Sequence, residues 1–481
     1  VAHASYNVTG RLEISKLVAV ATATWCGLCA NGAIADDRGW EFQPYRIQAV
    51  LAIDAPGGMA EQLSHELPRY LHERVVAAIG PAWDFQLQLV TGSLRHTLLS
   101  GIAALEGAPS AEFPSEGDKL LVLSVRGTPY GYELTAREFD RTVERWGMPI
   151  ERRSGQSEMI PEQLFALVWQ TVAPVAQLEL DPEDSNRVTL IPRGNKLWRS
   201  TSNAPWVNPG DLFLPVLRRT TRGGELAKDG IQVVPWTYIE SAEVDEGKVV
   251  GRIHSGNRNP LGARRRGRVE QLAIALRSEP GDTRLHLVSR TNPDKSLAGY
   301  EVYAQDAADK STTLIGSTDD AGSILISAGP SPVKMLVIKH GGLLLARLPV
   351  VPGADREVTV PLPDDDVRLA AEARLAALRE ELVDVVVRRN ILMARARQKI
   401  KDSDFPAAQT LLRAIDDLPG RSQFNLTLNT AARLLRSDDP QIQRRIDQLF
   451  QATQTVLTQY LDTRPISELN EELRQAQRNP K

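Results

Sequence analysis

Cys26 and Cys29 are the pair in this chain whose residue type and spacing could most directly do chemistry, and they are the only cysteines among its 481 residues. A Cys-x-x-Cys pair cycles between dithiol and disulfide when one thiol is ionised, because the thiolate is the attacking form. Other candidates are weaker. His65 and His72 could share a helix face, but no adjacent Asp or Glu completes a metal set. Ser331-Pro332-Val333-Lys334 has the spacing of a nucleophilic serine and a lysine base, yet the surrounding prolines disfavour the helix that pair requires. Arg252, His254, Arg258, Arg264, Arg265, Arg266 and Arg268 crowd positive charge over the stretch GNRNPLGARRRGR. Guanidinium groups bind phosphates and carboxylates through paired hydrogen bonds, although no aromatic residues interleave these arginines to stack on bases. The sequence carries no Gly-x-Ser-x-Gly, His-Glu-x-x-His, phosphate-binding Gly-Lys loop or dinucleotide fingerprint.

The segment that holds the cysteines supports two readings. Ala23-Thr24-Trp25-Cys26-Gly27-Leu28-Cys29 resembles the active-site motif of the thioredoxin family. That resemblance implies a buried strand, for which residues 17–20 would serve, leading to the motif at a helix N-terminus, whose dipole lowers the pKa of the first thiol. It covers a short stretch, and Leu28 stands where the family has proline. Asn31, Gly32, Asp36, Asp37 and Gly39 then break the apolar period that the helix needs. Alternatively, residues 17–35 (LVAVATATWCGLCANGAIA) are uncharged, follow Lys16 and end in Ala33-Ile34-Ala35. A basic start, a short apolar run and small residues at the −3 and −1 positions are what signal peptidase recognises. This second reading is favoured, with a translation start nearer Leu12 and cleavage after Ala35. The run is also too short and weak for a spanning helix, which needs about 20 strongly apolar residues. The mature protein would then hold no cysteine and would rely on packing.

A length prior of about 150 residues per domain suggests roughly three domains. A hydrophobic fraction of 42% and a charged fraction of 24% belong to a folded globular protein, not a disordered one. A formal net charge of −3 leaves no global footprint of a dedicated nucleic-acid binder.

The elements fall into four regions after residue 35. Residues 36–180 alternate strands (45–53, 84–90, 119–125, 130–135, 175–180) with amphipathic helices (59–79, bent or split at Pro68, then 94–105 and 161–172), which indicates an α/β layer. That order resembles the small α/β modules of periplasmic envelope proteins such as the TolB N-terminal domain. Residues 181–282 carry short runs at 188–191, 212–217, 231–239, 248–253 and 268–277 between Gly, Pro and Asn clusters, as in a small barrel or sandwich. There, Val207-Asn208-Pro209-Gly210-Asp211 resembles the turns that open strands in SH3-like barrels. Residues 283–363 show strands at sandwich spacing, at 285–289, 300–304, 313–317, 324–326, 335–339 and 357–360. Within them, Leu297-Ala298-Gly299-Tyr300-Glu301-Val302-Tyr303 followed by Ser317-Thr318-Asp319-Asp320-Ala321-Gly322 resembles carboxypeptidase regulatory-like and Ig-like modules. The resemblance implies a spacer or binding role. Residues 364–481 are helical, with Asp366 placed to cap the first helix and Leu375, Leu378, Leu382 and Val385 as its apolar stripe. Residues 390–418, with Leu392, Ala396, Phe405, Ala408, Leu412 and Ile415 about the turn Asp402-Ser403-Asp404, resemble one tetratricopeptide-type hairpin. Helices follow at 425–435 and 441–461, the latter with Asp439 and Pro440 as cap and first residue.

The fold class expected is therefore multidomain α+β: an N-terminal α/β domain, a small β-barrel or sandwich, an Ig-like β-sandwich and a helical tail. The favoured function is an exported, non-enzymatic envelope or secreted scaffold that binds a protein or an envelope polymer. It would have no cofactor, no specific nucleic-acid partner and no membrane span in its mature form. Two alternatives stand beside it: a thiol–disulfide oxidoreductase using Cys26 and Cys29, and a hydrolase using an unrecognised carboxylate pair in the α/β domain. Arg264, Arg265, Arg266 and Arg268 are candidates for contact with an anionic surface, against the plainer reading of a solvated loop facing the acidic stretch 243–246. Changing all four to Ser is expected to remove most binding to an anionic envelope fraction at low salt, where such contacts are least screened. Undiminished sedimentation with that fraction would leave the loop as solvated charge.

Overall fold

Alternating small and branched apolar residues at Tyr45–Asp54 give a strand, β1, buried on both faces. Ile47, Ala49 and Leu51 enter one core cluster while Val50 and Ala52 enter another, so the strand reads as a continuous apolar run. The computed structural model describes residues 39–197, 206–221, 223, 225–245, 248–257, 259–262, 268–277, 279–305 and 310–478. The chain divides into two units, Val1–Glu279 and Pro280–Lys481.

In the first unit, β1 is followed by α1 (Met59–Ala78), which buries Leu63, Leu67, Leu71 and Val75. Of the bend or split expected at Pro68, the split does not occur: one helix continues through it. Proline removes one backbone bond, but Leu67 and Leu71 on either side are fully buried, and that packing holds the turn together. Next come β2 (Trp83–Leu89), α2 (Gly92–Gly101), β3 (Lys119–Thr128), β4 (Gly131–Asp140), β5 (Arg145–Trp146), β6 (Ile150–Ser154) and α3 (Ile160–Thr171). β2 and β3 pair parallel with the two edges of β1, β4 pairs antiparallel with β3, and β5 and β6 both pair with β4. Helices α1 and α3 share a core cluster on one face of the sheet, while α2 covers the other.

The second sheet of this unit comprises β7 (Val175–Leu180), β8 (Arg187–Pro192), β9 (Leu212–Thr220), β10 (Leu226–Val233), β11 (Thr237–Asp245), β12 (Lys248–Ser255) and β13 (Arg268–Ala275). Their order is β9-β11-β12-β8-β7-β13, and β13 pairs back onto β9, which closes a six-stranded barrel. Full closure leaves those six strands no free edge. β10 lies outside the ring, paired with β9 through a bulge between Leu226 and Ile231. Two sequence expectations change here. The strand 175–180, grouped above with the α/β layer, pairs with β8 and β13 and so belongs to the barrel. The run 231–239 is two strands, because Pro235 has no backbone N–H to donate and Trp236 takes a positive φ of 52°, which turns the chain between β10 and β11. The barrel interior is narrow at Gly251, where an added Cβ would come within 2.5 Å of Ile239.

The second unit opens with β14 (Thr283–Ser289), β15 (Glu301–Gln305), β16 (Thr312–Ser317), β17 (Ser323–Ile326), β18 (Lys334–His340), β19 (Leu343–Val350) and β20 (Glu357–Leu362). They form a three-stranded sheet, β17-β14-β20, and a four-stranded sheet, β16-β15-β18-β19. β19 has no counterpart among the strands expected from the sequence. The helices are α4 (Asp366–Lys401), α5 (Phe405–Asp416), α6 (Arg421–Leu434), α7 (Pro440–Tyr460) and α8 (Arg464–Arg478). α4 is 36 residues long and buries Leu375, Leu378, Leu382 and Val385, the expected stripe. Its cap position falls on Asp365, not Asp366, and the Asp365 carboxylate accepts from Arg368 Nε at 2.7 Å instead of from backbone amides. No helix among the described residues is long and apolar enough to cross a membrane.

Asp439 does cap α7, accepting from Gln441 N at 2.9 Å and Ile442 N at 3.4 Å, with Pro440 behind it. Its other oxygen accepts from Arg290 Nη2 at 2.6 Å. Asp439→Ala is expected to cost about 2 kcal/mol in urea unfolding, most of it from the cap, because Arg290 is half-exposed and its pairing is screened. Asp439→Asn keeps a capping oxygen and should cost about 1 kcal/mol or less. Equal losses for the two variants would show that the ion pair, not the cap, dominates.

Candidate functional site

Most residues singled out by spacing lie where the structure says nothing of chemistry or argues against it. Cys26, Cys29, Ala33, Ala35, Arg258, Arg264, Arg265 and Arg266 lie outside the described residues. Arg268 opens β13, its backbone opposite Thr220. Arg252 and His254 sit on β12 across from β11, and His254 Nε2 lies 2.8 Å from a Glu240 carboxylate oxygen, so part of the cationic cluster faces an acidic partner. His65 and His72 lie exposed on α1. Ser331 occupies a bend, its hydroxyl donating to the Val333 carbonyl at 2.9 Å, and Lys334 starts a strand, so no helix presents them together.

What the fold does assemble is a buried ionic cluster between the first sheet and the barrel. In the β3–β4 register Lys119 stands opposite Asp140, and Glu138 lies two residues away on the same face. The Lys119 ammonium donates to Glu138, to Asp140 Oδ2 at 2.5 Å and to the Ala173 carbonyl at 2.7 Å. Glu138 Oε2 accepts from Ala173 N at 2.7 Å, and Asp140 Oδ1 accepts from Thr142 N at 2.8 Å and Val143 N at 3.1 Å. Beside them the Tyr45 hydroxyl accepts from Val175 N at 2.8 Å and donates to Val175 O at 3.2 Å, and its ring lies 5.0 Å from the ammonium. All three charged side chains are sealed, at 0%, 3% and 1% exposure for Lys119, Glu138 and Asp140. Burial works against the Lys119 charge, but Asp140 and Glu138 outweigh it and hold the ammonium well above its ordinary range. Burial pushes the Glu138 carboxyl up to about 7, with Lys119 opposing and Asp140 adding to the rise.

Next to this cluster opens a cleft of about 470 Å³ walled by Trp40, Asp118, Arg141, Arg193, Arg218 and Glu270. Asp118 and Arg141 come from the ends of β3 and β4, Arg193 from the turn after β8, and Arg218 and Glu270 from β9 and β13. The Asp118 carboxylate accepts from Arg193 Nη2 at 2.9 Å and from Arg46 N at 2.9 Å. Burial alone would raise its pKa, but Arg193 and Arg46 outweigh that and hold it below the usual carboxylate value. Arg193 also donates to Pro44 O at 2.9 Å, and its guanidinium lies 5.6 Å from the Trp40 ring centre and 5.1 Å from that of Tyr45. Arg218 and Glu270 are cross-strand partners joined at 3.0 Å. Arg141 differs. Its backbone N–H donates to Asp118 O at 2.9 Å and its Nη2 to Pro114 O, but it has no acidic partner among the described residues. Among the described residues, the buried N–H groups of Trp40 Nε1, Arg141 Nε and Arg193 Nε meet no acceptor.

The arrangement can bind polar or anionic groups through preset guanidinium donors. Among the described residues, no three His, Cys, Asp or Glu side chains converge as metal ligands. Sequence spacing could not single out these residues, which lie far apart along the chain. One signal was present: Leu134, Ala136 and Glu138 share the inward parity of β4, so a charge at 138 must be buried with a partner.

The raised Glu138 pKa gives a pH dependence with a definite sign. The folded state holds that proton more tightly than the unfolded chain, so the stability from this group is full below its ordinary value of 4.5 and declines as pH rises toward about 7. Thermal midpoints are expected to fall across that window, and Glu138→Gln should flatten the slope even if it lowers every midpoint. An unchanged slope in the variant would assign the titration elsewhere.

No family model matches the chain, and no curated protein matches it. Among solved structures, TolB from Acinetobacter baumannii is 9% identical, with 67% of this chain and 96% of that one covered, at a TM-score of 0.16. BcpA, the major pilin subunit of Bacillus cereus, is 11% identical, with 51% and 71% covered, at a TM-score of 0.14. Likenesses this slight bear on neither fold nor function.

Proposed function

We propose that this chain is a non-enzymatic binding scaffold of the cell envelope or of secreted material, with the arginine-walled cleft as the ligand site of its first unit. The observation that carries this reading is the sealed Lys119–Glu138–Asp140 cluster. A general acid or base must reach its substrate, and these carboxylates are locked onto an ammonium and backbone amides inside the protein. They hold the sheet to the barrel. The open cleft beside them offers guanidinium donors whose carboxylate neighbours are already paired, which suits holding a ligand more than transforming one. In the same reading, residues 283–363 serve as a carboxypeptidase regulatory-like or Ig-like spacer and 390–418 as a tetratricopeptide-type hairpin for contact with a protein or envelope polymer. Export rests on the uncharged run at 17–35 and its Ala33-Ile34-Ala35 end.

The test is the mature N-terminus and the cell fraction together. The native protein is expected in an extracytoplasmic fraction, starting at Asp36 by intact mass, and to cross-link there to an envelope component. A cytoplasmic protein that retains Cys26 and Cys29 would overturn this reading and restore the thiol–disulfide one.

A further inference from the structure

We infer that the cleft walled by Trp40, Arg141 and Arg193 takes a small ligand bearing an oxyanion, a carboxylate or a phosphate. The inference rests on reading this cleft as the binding site and goes further by naming what fills it. Among the residues that wall the cleft, the three guanidinium groups of Arg141, Arg193 and Arg218 face two carboxylates, Asp118 and Glu270, a positive surplus of one. The sealed cluster behind it does not draw on these guanidinium groups, since its carboxylates are bonded to Lys119 and to the backbone amides of Ala173, Thr142 and Val143. The surplus is localised. Arg193 shares Asp118 with Arg46, and Arg218 has Glu270, but the Arg141 guanidinium makes a single hydrogen bond, from Nη2 to the Pro114 carbonyl, among the described residues. A guanidinium carries five N–H donors in a planar fork shaped to a carboxylate or phosphate, so most of that fork is unfilled.

A second observation points the same way. Buried N–H groups without acceptors are scarce in native proteins, because each forfeits its hydration for nothing in return. Among the described residues, Trp40, Arg141 and Arg193 each bring one to the wall of this cleft, while Trp83, Arg277 and Arg389 have one elsewhere. Arg193 is held in place by Asp118, Pro44 and the faces of Trp40 and Tyr45, so it meets a ligand without first being ordered. A cleft of about 470 Å³ suits a small-molecule ligand. Burial also disfavours the Arg141 charge, a cost that an arriving oxyanion would offset.

The experiment is a titration of the purified full chain, followed by tryptophan fluorescence and by calorimetry, with inorganic phosphate, succinate and glucose, each against sodium chloride at matched ionic strength. Saturable binding of phosphate or succinate above the chloride control is expected, and the tighter of the two identifies the oxyanion. Arg141→Gln should weaken it at least tenfold, and Arg141→Lys, which keeps the charge but not the fork, by less. Gln177→Glu, which places a negative charge on the barrel side of the cleft, should weaken it as well and guards against misfolding of the Arg141 variants, with circular dichroism as the fold control. Anion binding equal to wild type in both Arg141→Gln and Gln177→Glu would overturn the assignment. Saturation with glucose but with neither anion would keep the cleft as a binding site and end the oxyanion proposal. Saturation with none of the three would end both.

Discussion

One ammonium group sets the geometry of the first unit. Lys119 has no route to water, so it must find its charge balance inside, and it does so from two carboxylates on the neighbouring strand and one backbone carbonyl beyond α3. Two carboxylates and one ammonium leave a surplus of negative charge in a dry place. Backbone amides of Ala173, Thr142 and Val143 take up that surplus. Removing Lys119 would leave the two buried carboxyl groups with no counter-charge, at a cost of about 3–5 kcal/mol. The demand for partners therefore fixes where the chain leaving α3 must run. It runs past Ala173 and Val175, with the Tyr45 hydroxyl bracketing Val175, and enters the barrel as β7.

The cleft is a consequence of that docking. Its residues come from the ends of β3 and β4, from the turn after β8, and from the β9–β13 seam that closes the barrel. Asp118 neighbours Lys119 in sequence and Arg141 neighbours Asp140, so the same two strands that end in the buried cluster also place one acid and one base at its rim. The division of labour is by depth: inside, every charged group is hydrogen-bonded and holds structure, while at the rim one guanidinium is left with most of its donors unfilled.

Local periodicity made the mixed architecture legible. The run at 45–53, the stripes on α1 and α4, and the Asp439-Pro440 start of α7 all depend on neighbours within a few residues, where sequence speaks directly. What it could not convey were decisions taken by distant partners. Val175–Leu180 has the same alternation whether it joins the first sheet or the barrel, and only pairing with β8 and β13 decides. β19 carries its apolar residues on both faces and ends near Pro349, which blurs its period. Asp365 and Asp366 are equally good caps on composition, and Arg368 draws the first of them away from the helix amides. The cleft was the least legible feature, since Trp40, Arg141, Arg193 and Arg218 meet only when two sheets dock.

The excluded strand β10 has a further bearing on how this unit behaves among other molecules. Among the described residues it is the one strand of the second sheet with an unpaired side, a natural template for an incoming extended chain. Its bulge, the positive φ of 51° at Asp229 and the exposed Lys228 twist and charge that side, which are the means by which natural sheets discourage strand addition and aggregation. An approaching strand would thus find little along this margin to pair with.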